Sequence, residues 1–214
     1  MKNAVIAVLA FALFISSCQS QEKQMSEDRN SYRFNPRPLN DDWSKWLVGE
    51  WESSGESEAG SGGGMTSVEL ALNGQFLIMK GEGETGEMTP EHIKYIKETL
   101  HASDEEIERF RSSAFKELQI HTIDSKTGEV VGYLFDSLRC IAEGRGRREG
   151  NKEIMEWKWK CSGQESSSVR ITEKVSNDKF IITEKYTLLD GNKMEDRGVM
   201  TRRKKTTCTQ GESK

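Results

Sequence analysis

Polar and apolar positions divide the chain into three regimes. Residues 1–17 open with Met1-Lys2-Asn3, run apolar from Ala4 to Ile15 and stop at Ser16-Ser17 ahead of Cys18. Residues 18–40 offer almost nothing apolar to pack and carry Pro36 and Pro38, the pattern of a flexible tether. From Trp43 onward, short alternating runs predict strands at Leu47–Ser53, Met65–Leu72, Gln75–Glu82, Glu117–Ile123, Val130–Ala142, Glu153–Cys161, Ser168–Val175, Phe180–Leu188 and Met194–Arg202. Asn73-Gly74, Gly150-Asn151, Asn177-Asp178 and Gly191-Asn192 punctuate them, residue types that accept the positive φ of tight hairpins. Nine or ten short strands with regular turns predict a mainly antiparallel all-β barrel over residues 41–204, with 205–214 as a flexible tail.

One segment has a different period. Thr89-Pro90-Glu91 opens a helix with proline in its first turn, and Ile93, Tyr95, Ile96 and Leu100 fall at helical spacing. Ser103 and Glu106 form a capping-box pattern ahead of Ile107, Phe110 and Ala114. A helical pair inserted at residues 89–115 follows, read either as packing surface or as a lid.

The stretch from Val130 to Cys161 tests itself, because a two-residue turn at Gly150-Asn151 assigns every partner. It sets Met155 opposite Gly146, Trp157 opposite Gly144, Trp159 opposite Ala142 and Cys161 opposite Cys140, so large side chains meet small ones on one face. On the other face Arg145 meets Glu156 and Glu143 meets Lys158. A slip of one residue would bring the tryptophans against Glu143 and Arg145, so packing and charge specify the same register and make the tryptophan face the inner one. Cys140 and Cys161 then form either a disulfide or two small buried thiols, with Cys208 unpaired in the tail.

The apolar run before Cys18 is too short to span a bilayer, which takes roughly 20 residues, and reads as a signal peptide. Ile15-Ser16-Ser17-Cys18 resembles the bacterial lipobox. That resemblance implies cleavage before Cys18, lipidation of its sulfur and a membrane anchor; Gln19, standing where enteric inner-membrane lipoproteins carry Asp, favours the outer membrane facing the periplasm. Removal of Lys2, the one charged residue of the segment, takes the formal charge from -4 to -5. A chain 31% charged and 34% hydrophobic is that of a globular domain with room for one core. It is mildly acidic and has no basic stripe, which argues against a nucleic-acid partner; Arg202-Arg203-Lys204-Lys205 reads as a solvated end.

Leu47-Val48-Gly49-Glu50-Trp51-Glu52 contains the Gly-x-Trp that opens the first strand of lipocalins and related calycin barrels. Together with Asn73-Gly74-Gln75-Phe76-Leu77, Gly132-Tyr133 and Met200-Thr201-Arg202-Arg203, the order resembles a bacterial lipocalin-like family of unknown function, from about Trp43 to Lys204. The resemblance implies that Trp51, beside Gly49, packs across the closed end and that Arg202 covers it. It also implies a barrel enclosing an apolar molecule, and no reaction. Leu134 in place of the usual Asp, and the helical pair, depart from the pattern.

His92, His101 and His121 are scattered and no Cys-x-x-Cys occurs, so no metal site and no cofactor is expected. His121 sits on a strand, where it could reach a haem, although a satisfied strand histidine is the simpler reading. Gly60 to Gly64 lack the Lys-Ser or Lys-Thr of a phosphate loop. In the hairpin around Asn177-Asp178, Val169, Ile171 and Val175 share a face with Glu173, as Phe180, Ile182 and Tyr186 do with Glu184, which puts the two glutamates near each other on the core side. The same register sets Arg170 against Lys185, a mismatch. The favoured expectation is a membrane-anchored, non-enzymatic barrel that binds a small apolar or amphipathic ligand through Trp157, Trp159, Glu173, Glu184 and Tyr186. The alternatives are an interaction lipoprotein with a filled barrel, and a hydrolase using Glu173 and Glu184.

Overall fold

The computed structural model describes residues 37–57, 60–99, 101–161, 163–188 and 191–204. The expected signal segment, Cys18, most of the expected tether and the expected tail from residue 205, with Cys208, lie outside the described residues.

Among the described residues, ten antiparallel strands form the domain: β1 (Gly49–Ser57), β2 (Gly60–Ala71), β3 (Phe76–Met88), β4 (Phe115–Ile123), β5 (Val130–Asp136), β6 (Ile141–Glu149), β7 (Lys152–Cys161), β8 (Gln164–Ser176), β9 (Lys179–Thr187) and β10 (Lys193–Arg202). Each pairs with the next in sequence and β10 pairs with β1, so the sheet closes into an up-and-down barrel. The expected all-β barrel is borne out, and closure leaves no open edge. The run Val130–Ala142 is two strands rather than one. Asp136 Oδ1 accepts the N–H groups of Leu138 and Cys140, both within 2.9 Å, and Arg139 adopts φ 64°, so a local side-chain turn interrupts the alternation.

Strand direction separates the two ends. The chain enters β1 at the same end as the β2–β3, β4–β5, β6–β7 and β8–β9 turns. Helix α1 (Asp42–Leu47) plugs that end: Asp41 caps it by accepting the Ser44 N–H at 2.8 Å, and Trp43, Trp46 and Leu47 fall on its buried face. They pack with Trp51, Val68, Leu77, Phe180 and Met200. Trp51 donates its indole N–H to the Leu47 carbonyl at 2.8 Å, and the Arg202 guanidinium lies 4.1 Å above the Trp51 ring while donating to the Val48 and Trp46 carbonyls. Gly49, at φ 141°, leaves the space that guanidinium occupies, since a Cβ there would sit 2.4 Å from Arg202 Nη1. Helices α2 (Pro90–Thr99) and α3 (Asp104–Ser112) join β3 to β4 at the opposite end.

Two hairpins matter for the site. In β6–β7 the register is the one that large-against-small pairing and charge require, with Gly144 opposite Trp157 and Arg145 opposite Glu156. A Cβ on Gly144 would lie 2.6 Å from the Trp157 ring, and one on Gly132 in β5 would lie 2.7 Å from it, so the ring fills the place of two absent side chains. Cys140 and Cys161 are bonded, their Cα atoms 4.4 Å apart.

In β8–β9 the expectation fails by one residue. Ser176 pairs with Lys179 but Lys174 pairs with Phe180, so Val175 is bulged out of the ladder. Every β8 residue before it is thereby turned to the other face. Val169 and Val175 are 41% and 53% exposed, and Arg170 meets Glu184 instead of Lys185. Glu173, expected inside, lies on the outer face, 3.4 Å from Lys152 Nζ and accepting from Asn151 Nδ2.

Candidate functional site

The barrel encloses a cavity of about 700 Å³. Its floor is the plug, through Leu47, Phe180 and Met200; its far end is reached by His92 of α2 and Phe110 of α3. Methionines supply much of the adaptable apolar wall between them, among them Met65, Met79, Met155 and Met194.

A buried polar network crosses this apolar wall. Arg170 donates from Nε to Glu184 Oε2 at 2.6 Å and from Nη1 to Gln119 Oε1 at 3.0 Å, and Gln119 Nε2 donates to Glu117 Oε1 at 2.9 Å. The second Glu184 oxygen accepts from Ser168 Oγ at 2.5 Å, and Ser168 Oγ accepts from Trp159 Nε1 at 2.9 Å. Burial opposes the Arg170 charge, yet Glu184 and then Glu117 outweigh it and hold the guanidinium more firmly protonated than usual. Burial first, and Glu184 second, push the Tyr186 phenol well above its ordinary value, so it faces the cavity as a neutral hydroxyl.

A second chain of charges runs from the cavity toward the plug. His121 Nδ1 lies 3.5 Å from Glu153 Oε1, and Arg148 donates to Glu153 Oε2 at 2.8 Å and to Asp41 Oδ1 at 2.6 Å. Burial opposes ionisation of Glu153, but His121 and Arg148 together hold its carboxyl below the usual range. Neither ring nitrogen of His121 has a hydrogen-bond partner, although the side chain is only 5% exposed.

Of the residues expected to contact a ligand, Glu184 and Tyr186 line the cavity. Trp157 and Trp159 face inward but are not on its wall. Trp157 packs in a separate cluster with Val130, Leu134, Ala142 and Met155, and Trp159 packs against that cluster, 6.5 Å from Tyr186 between ring centres. Glu173 and Glu184 stand on opposite faces of the sheet, so the two-carboxylate pair of the hydrolase alternative is not assembled. Arg170, Gln119, Glu117 and Glu153 were not singled out from sequence. The Arg170–Lys185 mismatch was the one signal available, and Gln119 and Glu153 show only the ordinary alternation of their strands.

No family model and no curated protein matches the chain. Among solved structures it is similar to an S-type phycobiliprotein lyase from Guillardia theta, with 11% identity over 76% of this chain and 91% of that one and a TM-score of 0.45. It is also similar to a de novo designed fluorescence-activating β-barrel, with 13% identity over 76% and 99% of the two chains and a TM-score of 0.38.

Proposed function

We propose that this protein is a non-enzymatic binder of one small amphipathic molecule, held inside the barrel and tethered to the cell envelope through lipid on Cys18. The observation that carries the reading is the cavity of about 700 Å³. Its size lies within the roughly 300–1,000 Å³ of small-molecule sites, and its few fixed polar groups in an apolar wall match the composition of such sites. Large side chains fill the plug and the β5–β7 wall but leave this volume open, which favours a ligand over a barrel filled for structural purposes.

Titration of the full chain with the neutral apolar dye N-phenyl-1-naphthylamine tests it, followed by dye emission. Saturable uptake at one dye per chain is expected. Thr172→Trp, which adds a ring to a residue of the cavity wall, should abolish it while leaving the circular dichroism intact. Absence of saturable uptake, or uptake indifferent to Thr172→Trp, overturns the reading.

A further inference from the structure

The end of the barrel closed by the plug gathers positive charge, although the chain as a whole has a formal charge of -4. Of the acids there, Asp41, Glu129, Glu149, Glu173 and Asp178 are each ion-paired with an arginine or lysine. Lys45 on α1, Lys126 in the β4–β5 turn, Lys179 at the β8–β9 turn, and Arg203 and Lys204 after β10 are exposed and have no ion-pair partner among the described residues. Asp42, Glu50 and Asp124 are the acids left to oppose them, and the Asp124 carboxylate is engaged by the backbone N–H groups of Lys126 and Thr127. At the opposite end α3 opens on Asp104, Glu105 and Glu106, so the barrel is polarised along its axis.

Two apolar side chains stand out of the core at the same basic end, each on irregular backbone. Leu72, in the β2–β3 turn, is 70% exposed, the most exposed large apolar residue among the described residues, and holds φ 50°. Leucine is disfavoured in that left-handed region, which Asn73 and Gly74 beside it accept more readily, so the turn would close more easily without it. Strain kept at an exposed position points to a role outside the fold. Val175, in the β8–β9 bulge, is 53% exposed. The Leu39 N–H donates to the Gly74 carbonyl at 2.7 Å, so the chain enters the barrel against the turn that carries Leu72.

We propose that this end is a membrane-docking surface, the barrel standing plug-down on an anionic bilayer. Leu72 and Val175 enter the headgroup region, and Lys45, Lys126, Lys179, Arg203 and Lys204 meet lipid phosphates. Apolar tips flanked by cations suit such a surface, because buried apolar area and attraction to anionic lipid add. The basic run that begins at Arg202 is then part of the contact. Docking stands on these residues alone; a lipid on Cys18, as proposed above, adds to it, because the chain enters at this end. The side face of β5 and β6 exposes Tyr133, Phe135 and Ile141 as a rival surface. The lysines around that face, Lys80, Lys116 and Lys160, are each paired with a glutamate, so it lacks the surplus charge.

Hydrogen–deuterium exchange of the full chain with excess vesicles tests the proposal, phosphatidylcholine alone against phosphatidylcholine with phosphatidylglycerol. With the anionic vesicles, exchange should slow in the β2–β3 and β8–β9 turns and not in β5 and β6, and salt should reverse the effect. A lysine or arginine near an anionic surface is worth about a factor of five, so Lys179→Gln and Arg203→Gln should each lower this protection by that factor. Leu72→Asn, which the left-handed backbone accepts, should lower it with the circular dichroism unchanged, and Ile141→Thr on the side face should leave it as it was. Equal exchange with the two kinds of vesicle, protection of β5 and β6 in place of the plug-end turns, or protection indifferent to all three plug-end substitutions overturns the proposal. Whether Cys18 carries lipid is read separately, from the mass of its peptide, and the excess of vesicles makes the docking result independent of it.

Discussion

Arg170 and Glu184 are the residues whose pairing most depends on their surroundings, with side chains 11% and 4% exposed and Nε 2.6 Å from Oε2. Breaking a buried pair from one side strands the other charge, so Arg170→Met should lower the unfolding free energy by about 3–5 kcal/mol. Arg170→Met combined with Glu184→Met should recover most of it, and a urea-denaturation cycle over the four proteins measures the coupling. Glu153 leads to a pH prediction. Its carboxyl ionises below the ordinary 4.5 in the folded state, so the unfolded chain binds the proton more readily. That stability is present above about pH 4.5 and is lost as pH falls through the lower folded value. Glu153→Gln should therefore flatten the acid limb of a stability–pH curve measured by denaturant midpoint, while costing roughly 3 kcal/mol at neutral pH because Arg148 loses its more buried partner. At this scale Glu184 was legible, because alternation in β9 sets it beside Phe180 and Tyr186. Arg170 was not, since a charged residue one position out of phase looks solvated until its strand is turned over.

Among the elements, the two hairpins show what local pattern can and cannot specify. β6–β7 has a regular two-residue turn and size and charge complementarity at successive pairs, so a single register satisfies everything. β8–β9 carries a bulge at Val175, an exposed residue with no distinguishing neighbour, and one unpaired position changes which face each earlier residue occupies. The charge clash it relieves was visible; its cause was not. Helix α1 was missed as a helix because six residues are too few for periodicity to stand out, although Asp41 as a cap before Trp43, Trp46 and Leu47 carries the signal. The β6–β7 hairpin is also cross-linked, Cys140 and Cys161 standing 21 positions apart in sequence. Replacing both by serine should cost about 3 kcal/mol in the chain-entropy model, seen as a lower unfolding midpoint. Native circular dichroism should hardly change, since the tryptophan–glycine packing keeps the register.

For the molecule as a whole, closure is made between the first strand and the last, with Trp51 beside Arg202 and Ser57 beside Asp196. A chain ending before Lys193 loses this seam and leaves β1 and β9 as edges, so it should elute as aggregates in size-exclusion chromatography instead of as the intact chain does. The barrel class was legible in the turn spacing and the alternation. The hollow was not, because volume depends on how ten strands curve around one another and on which rings fill the gaps left by glycines. The plug has a kinetic consequence. A vessel sealed at its base by Trp43, Trp46 and Trp51 has α2 and α3 at its other end among the described residues, so a guest of the proposed kind would pass these helices both on entering and on leaving. Loading and unloading would then share a passage, and how long a guest stayed would depend as much on how often those helices part as on how tightly the walls hold it.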